Sequence, residues 1–291
     1  MDKEMTQKRI VAVDSQKLDA IMACMYLYKL RFGVIEGGLQ PLQTPDYFER
    51  GGLLHDMLEP YYKMKKYRSR WLQNNHTHAD IVEICIYIGR VKATKMQLDI
   101  AEIEMVIDTF RQYVEHWEND GWSNIISVER VGAKVLYNSE DLCILYEFKV
   151  DLVLSMSGVI IPVDHKSAKS KRDPNELSNQ FKGYCWGLDA NHLIVNEIGF
   201  QKTLKPVDKF RRHDLHYSAS MLDEWVQNAI WWVKHAIDLI DREAYPKNYT
   251  SCDKYSGCDF RTICKADPEV RDYKLQTLFE IKKWDVGEKH L

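Results

Sequence analysis

Apolar residues recur three and four apart through the first third of the chain. In DSQKLDAIMACMYLYKL, Leu18, Ile21, Met22, Met25 and Leu27 keep helical spacing behind an Asp14-Ser15 start, which predicts one capped helix. A second helix is expected from about Tyr47 into the basic stretch after Tyr62. A third, long and amphipathic, is expected in TKMQLDIAEIEMVIDTFRQYVEHWEND, closed by polar residues and Gly121. The texture changes near Ile125. ISVERVGAKVLY, CILYEFKVDLVLSM and VIIPVDHKS alternate or run apolar with β-branched residues, and turn residues separate them at Asn138-Ser139-Glu140-Asp141 and Ser157-Gly158. This is the pattern of a three-stranded meander.

Asp173-Pro174 then predicts a helix start, with Pro in the first turn where its missing N–H costs nothing. Two further strands are expected in HLIVNEIGF and around KFRRHDLHYS. A long helix follows over SASMLDEWVQNAIWWVKHAIDLIDREA, with Trp225, Trp231 and Trp232 as expected core residues. There is no internal repeat and no linker-like stretch. The simplest organisation is one integrated α/β domain in three consecutive parts: a helical region 1–122, a core 123–245 and a cysteine-bearing segment 246–291.

Composition narrows the function. With 40 Lys and Arg against 43 Asp and Glu the net charge is −3, which excludes a uniformly basic nucleic-acid coat but allows a local basic groove. No stretch approaches eighteen apolar residues, so no membrane span or membrane partner is expected. The first residues lack the apolar run and small-residue site of a secretory signal. Seven cysteines without an export signal point to a reducing compartment, where thiols are free, catalytic or metal-bound. No GxxxxGK[ST] phosphate loop is present, so the chain carries no ATP-driven motor.

The cysteines fall into two groups. Cys85, Cys143 and Cys185 sit inside apolar runs and read as small core residues. Cys252, Cys258 and Cys264 cluster in the polar segment SCDKYSGCDFRTIC, and three thiols need a fourth ligand, for which Cys24 is available. Four such thiolates suit a structural Zn²⁺.

The chemistry-bearing residues lie on the meander. Asp151 and Asp164 fall on neighbouring strands, and Asp164 and Lys166 leave one face of the same strand. Paired carboxylates form a hard oxygen site for Mg²⁺ or Mn²⁺, and an adjacent lysine can orient a water or stabilise developing negative charge. D-x-K is a common tripeptide, but VDLV and VDHK each put a charge into an apolar strand, which is costly without a partner or a metal. Gln180 and Tyr184 are four apart and share a helix face, either as phosphate-holding groups or as a solvated surface. His55 follows Gly51-Gly52 on a helix, as a ligand or as a packing residue. His76, His78 and Asp80 read as loop and cap residues. YYKMKKYRSRW interleaves Tyr61, Tyr62, Tyr67 and Trp71 with Lys65, Lys66 and Arg68, a composition suited to a single-strand channel or to a basic helix face. Lys169, Lys171 and Arg172 directly follow the D-x-K strand and are candidates for phosphate contacts.

The order of these motifs resembles the PD-(D/E)xK nuclease superfamily: a helical His in G-x-x-x-H, an Asp on a strand, D-x-K on the next strand, then Q-x-x-x-Y on a helix. The branch it looks most like is that of the RecB/AddB-type iron–sulfur exonucleases, including those of CRISPR adaptation. The resemblance runs from Ser15 to Cys264. It implies a restriction-endonuclease-like mixed central sheet flanked by helices, and a Mg²⁺- or Mn²⁺-dependent DNA exonuclease acting on single strands or duplex ends. It also implies work in recombination, repair or phage DNA processing, with a recombination or helicase partner, in the cytoplasm of a bacterial or phage-infected cell. Carried over, Asp151, Asp164, His55 and the carbonyl of His165 hold metal, Lys166 is the catalytic lysine, and Gln180 and Tyr184 form the helix motif. Cys24, Cys252, Cys258 and Cys264 would hold a [4Fe–4S] cluster, with Zn²⁺ as the alternative. Two positions depart from the pattern. Val150 replaces the proline of the family name, and five residues separate Cys252 from Cys258 where the family usually has two. The rival readings are a catalytically silent DNA-binding or assembly module with the same fold and a structural-zinc nucleic-acid binder.

Overall fold

The computed structural model describes residues 8–33, 37–43, 45–67, 77–168, 173–253 and 257–287. The N-terminal elements are β1 (Arg9–Val13), α1 (Ser15–Ala23), α2 (Met25–Phe32), β2 (Gly38–Pro41), α3 (Asp46–Lys66), α4 (His78–Ala93) and α5 (Ile100–His116). The meander follows as β3 (Ile125–Asn138), β4 (Leu142–Met156) and β5 (Val159–Ala168). After it come α6 (Asn179–Gly187), β6 (His192–Gly199), α7 (Pro206–Lys209), β7 (Phe210–His216) and α8 (Ala219–Asp241). The chain ends in α9 (Arg261–Lys265), α10 (Arg271–Leu278) and β8 (Phe279–Lys282).

These elements form two compact units, each discontinuous in sequence. One comprises Met1–Gln43, Ala133–Glu147 and Ser220–Glu288, and the other Thr44–Gly132, Phe148–Ala219 and Lys289–Leu291.

The second unit carries a mixed sheet in the order β4-β5-β6-β7. β4 and β5 are antiparallel, β5 and β6 parallel, and β6 and β7 antiparallel. The two-residue period of the strands divides their side chains between two layers. Leu152, Leu154, Ile161, Val163, Ile194 and Ile198 point to one face and join Leu53, Met57, Ile86, Ile107 and Phe110 of α3, α4 and α5 in one core. Asp151, Asp164 and Lys166 have the opposite parity and point to the other face, where Lys166 meets α6. This is the mixed α/β arrangement expected from the sequence. Capping residues set the helix starts: Thr77 with Asp80, and Asp99 with Glu102, each form a capping box. His78 and Asp80 are thus helix-start residues, as read; His76 lies outside the described residues.

The first unit pairs β1 with the start of β4 in parallel, from Arg9↔Leu142 to Val13↔Tyr146. β2 and β8 form a separate antiparallel pair. Leu30, Phe260, Ile263 and Phe279 form one small core there, and Ile21, Met25 and Ala236 another.

Several expectations need correction. The first helix breaks at Cys24, whose backbone is extended at φ −170° and ψ 118°. The free carbonyl of Ala23 is capped from outside, by Asn248 Nδ2 at 2.9 Å and Ser251 Oγ at 3.0 Å. The helix expected at Asp173-Pro174 starts only after Ser178, because Asn175 builds a local turn first. Its side chain accepts from Leu177 N and its carbonyl from Ser178 N. Trp225 is buried as expected, but Trp231 is 58% exposed. Cys85 and Cys185 are fully buried, whereas Cys143 is half-buried.

Candidate active site

The register Leu152↔Val163 ends the β4–β5 ladder, and the next positions along it are Asp151 and Asp164. Two carboxylates thus stand side by side where the strands part. The parting is filled by a side chain: the backbone N–H of His165 donates to Asp151 Oδ2 at 2.7 Å instead of to a backbone carbonyl. That bond fixes Asp151 and leaves its Oδ1 directed at α3.

From α3, His55 Nε2 donates to the carbonyl of His165 at 3.0 Å. In the neutral imidazole that tautomer leaves Nδ1 with a lone pair, 3.7 Å from Asp151 Oδ1. That separation is too long for a hydrogen bond and lies within the ~4.2 Å that two donors on one ion, each about 2.1 Å from it, can span. The His165 carbonyl, which the resemblance assigns to metal, here orients the imidazole with one of its two lone pairs.

Sequence reasoning missed Glu129. Among the described residues, the one group of three metal-ligating side chains within 4.8 Å of one another is His55, Glu129 and Asp151. Glu129 lies inside β3 with φ 52°, a left-handed conformation uncommon in a strand and costly for a residue with a side chain. Lys149 Nζ holds its Oε2 at 3.0 Å. The signal was present, since Glu129-Arg130 breaks the alternation of ISVERV with two adjacent charges.

Asp164 is the buried member of the pair. Burial pushes its carboxyl up to about 6, Lys166 opposes the shift, and the Asp151 charge adds to it. Lys166 Nζ is 2.9 Å from Asp164 Oδ2 as an ion pair, yet that oxygen has no well-angled hydrogen bond. An incompletely satisfied buried carboxylate beside a lone-pair imidazole and two further carboxylates fits a hard divalent cation. Lys166 is also held from α6: Nζ donates to Gln180 Oε1 at 2.9 Å, and Gln180 Nε2 donates to Tyr184 Oη at 2.7 Å. Burial works against the Lys166 charge, but Asp164 outweighs it and raises the ammonium's pKa. Gln180 and Tyr184 are therefore a relay that aims the lysine.

Beneath the site His165 faces the helical core. Its Nδ1 accepts from Asn196 Nδ2 at 2.8 Å, Asn196 donates also to Tyr113 Oη at 2.8 Å, and Tyr113 pairs with Tyr62 Oη at 2.5 Å. Burial holds this imidazole well below the ordinary histidine range, consistent with a neutral acceptor.

The expected DNA contacts are only partly placed. Lys65 is committed to buried Asp120 at 2.7 Å, and Lys66 donates to the Ile126 carbonyl at 2.5 Å. Arg68, Lys169, Lys171 and Arg172 lie outside the described residues.

In the first unit, Cys24, Cys252, Cys258 and Cys264 line one small pocket of about 30 Å³, together with Tyr26 and Phe260. Asn248 N donates to Cys24 Sγ at 3.4 Å. A backbone hydrogen bond links the widely spaced Cys252 and Cys258. Cys258 N donates to the Cys252 carbonyl at 3.0 Å, and Gly257 takes φ 98°, which an L side chain rarely adopts. Burial pushes the Cys258 and Cys264 thiols up, so their thiolates require a compensating positive charge.

A mixed sheet bearing Asp151, Asp164 and Lys166 at the parting of two strands, with His55 beside them, defines a nuclease core. The chain belongs to the PD-(D/E)XK nuclease superfamily, whose profile matches residues 15–265, and nucleases of this superfamily use divalent metals. A putative exonuclease from Eubacterium rectale is similar in fold, with 10% identity and a TM-score of 0.52 over 89% of this chain and 91% of its own. An alkaline exonuclease from Laribacter hongkongensis aligns over 58% of this chain and 87% of its own, with 11% identity and a TM-score of 0.31. No curated protein matches the sequence significantly. Among the described residues, no helix is long and apolar enough to cross a membrane.

Proposed function

We propose that the protein is a Mg²⁺- or Mn²⁺-dependent DNA exonuclease. The observation that carries this reading is the meeting of two ligand sets at one strand end: the His55–Glu129–Asp151 group and the Asp164–Lys166–Gln180 chain. His55 Nδ1, Asp151 Oδ1, Asp164 Oδ2 and Glu129 would hold the cation. When bound, the cation neutralises charge on the phosphate and favours deprotonation of the attacking water.

The remaining steps belong to the chain. The Lys166 ammonium, aimed by Gln180 and Tyr184, orients the water and stabilises negative charge on the phosphoryl oxygens. The N–H of His165 keeps Asp151 in place, and the His165 carbonyl sets the tautomer of His55. The substrates are single strands or duplex ends in recombination, repair or phage DNA processing, alongside a recombination or helicase partner, in a bacterial or phage-infected cytoplasm.

The same reading assigns a [4Fe–4S] cluster to the four-thiol pocket. Four sulfurs around one Zn²⁺ would lie about 3.8 Å apart, given Zn–S bonds of about 2.3 Å. The cluster is assigned on the order of the motifs along the chain, with a structural Zn²⁺ as the alternative.

The test is release of nucleotides from end-labelled single-stranded DNA with Mn²⁺, with Mg²⁺ and with chelator. Metal-dependent release that Asp151→Ala abolishes supports the reading. DNA binding without cleavage under all three conditions points instead to a silent module with the nuclease fold.

A further inference from the structure

The helix that supplies His55 continues beyond it toward its own N-terminus, along the end of the catalytic strand. Seven residues of α-helix turn through about 700°, so Phe48 lies on nearly the same side as His55, about 10 Å further on. The intervening position on this side is Gly51, where a Cβ would come within 2.9 Å of Ser167 Oγ. Ser167 follows Lys166, so this side of α3 lies against the end of β5 next to the site. One turn past Gly51, the side ends in aromatics. Phe48 is 52% exposed, Tyr47 is 38% exposed, and their rings are 4.4 Å apart at 33°.

The turn that holds them out is anchored. Glu49 is buried, with Oε2 accepting from Gln97 N at 2.7 Å, and Arg50 Nη1 is 3.8 Å from Glu102 Oε1. Two adjacent aromatic rings are thus presented to solvent on a fixed backbone beside a nuclease site. Stacked nucleotides advance about 3.4 Å each along a strand, so 10 Å corresponds to two or three nucleotides. An aromatic face takes an unpaired base whatever its sequence, whereas a base inside a duplex has both faces covered.

We propose that Phe48, with Tyr47 beside it, is a base-stacking subsite for single-stranded DNA, two to three nucleotides from the phosphate being cleaved. This rests on the nuclease reading and adds to it the class of substrate and a residue that selects it.

The experiment compares the wild type, Phe48→Ala and Phe48→Trp in chelator, where no cleavage occurs. Binding is measured by fluorescence anisotropy to a short single strand, to the same strand made abasic, and to a blunt duplex. Loss of one stacked base predicts about 5- to 100-fold weaker binding of the single strand by Phe48→Ala. Phe48→Trp should restore most of that affinity, and the abasic strand should bind the wild type and Phe48→Ala alike. Equal affinity of the wild type and Phe48→Ala for the intact strand overturns the subsite while leaving the nuclease reading in place. An equal loss on the abasic strand or on the duplex also overturns it. A wild type that binds none of the three DNAs overturns the nuclease reading as well.

Discussion

Tyr62 stacks flat on His165, with ring centroids 5.3 Å apart and planes 13° from parallel. The backbone of His165 faces the opposite way, giving its N–H to Asp151 and its carbonyl to His55. One residue therefore couples the aromatic core of α3 and α5 to two proposed metal ligands. The side chain is clamped from below, and the backbone groups above it are fixed as a result.

Breaking the clamp should loosen the site as well as the core. Tyr113→Phe deprives Asn196 and Tyr62 of a shared buried partner, at a cost of about 1–3 kcal/mol. Urea unfolding should show the loss, and Mn²⁺ titration should show weaker binding although Tyr113 touches no ligand atom. An unchanged Mn²⁺ affinity would separate the two layers.

Asp164 gives the metal-free protein a definite pH dependence. Its folded carboxyl titrates near about 6 against an ordinary 3.8, so the folded state holds this proton more tightly than the unfolded state does. Its contribution to stability therefore grows as pH falls through about 6 and is complete below 3.8. At pH 7 the strain on the ionised form is about 3 kcal/mol at most, with the attraction of Lys166 already included. In chelator, Asp164→Asn should be the more stable protein at pH 7, and its advantage should shrink as pH falls from 7 toward 4. Paired urea melts across that range check the slope.

Lys166 and Glu129 should fail differently. Lys166→Met should lower turnover by about 10²- to 10³-fold while Mn²⁺ still binds, because the ammonium stabilises charge without ligating. Glu129→Gln should weaken Mn²⁺ binding itself, with part of the activity recovered at high metal concentration. Calorimetric titration alongside single-turnover cleavage distinguishes the two.

The thiol pocket can be tested by colour and heat together. Serine at Cys24, Cys252, Cys258 or Cys264 should bleach the brown iron–sulfur absorbance and lower the melting temperature. Serine at Cys85 or Cys185 should cost packing only and leave the spectrum intact. Zinc found by metal analysis in a colourless wild type would assign the pocket to the smaller ion.

How much of this was legible in the chain depended on the range of the interactions. The meander, β6, β7 and α8 announce themselves through local periodicity, and Asp151, Asp164 and Lys166 through charges placed in apolar strands. The break at Cys24 could not be read locally, because the groups that cap Ala23 are Asn248 and Ser251, more than two hundred residues away. Helix α4 was passed over because EICIYIG is apolar on nearly every side. Lys65 looked like a phosphate contact because its partner, Asp120, joins it only in the folded chain. The left-handed backbone at Glu129 is an event that alternation alone marks only as an irregularity.

The sulfur pocket also sets a clock on biosynthesis. Its first wall residue, Cys24, leaves the ribosome 240 residues before its last, Cys264, and every described element of the sheet unit is made in between. At about 5–20 residues per second the earliest thiol waits on the order of 10–50 s for its partners. For most of that interval the sequence around Cys24 lacks Asn248 and Ser251, which cap its helix, while the last strand of the sheet unit is complete by His216. A group held by all four thiols could be bound only after Cys264 has emerged, on a chain whose sheet unit has had time to fold.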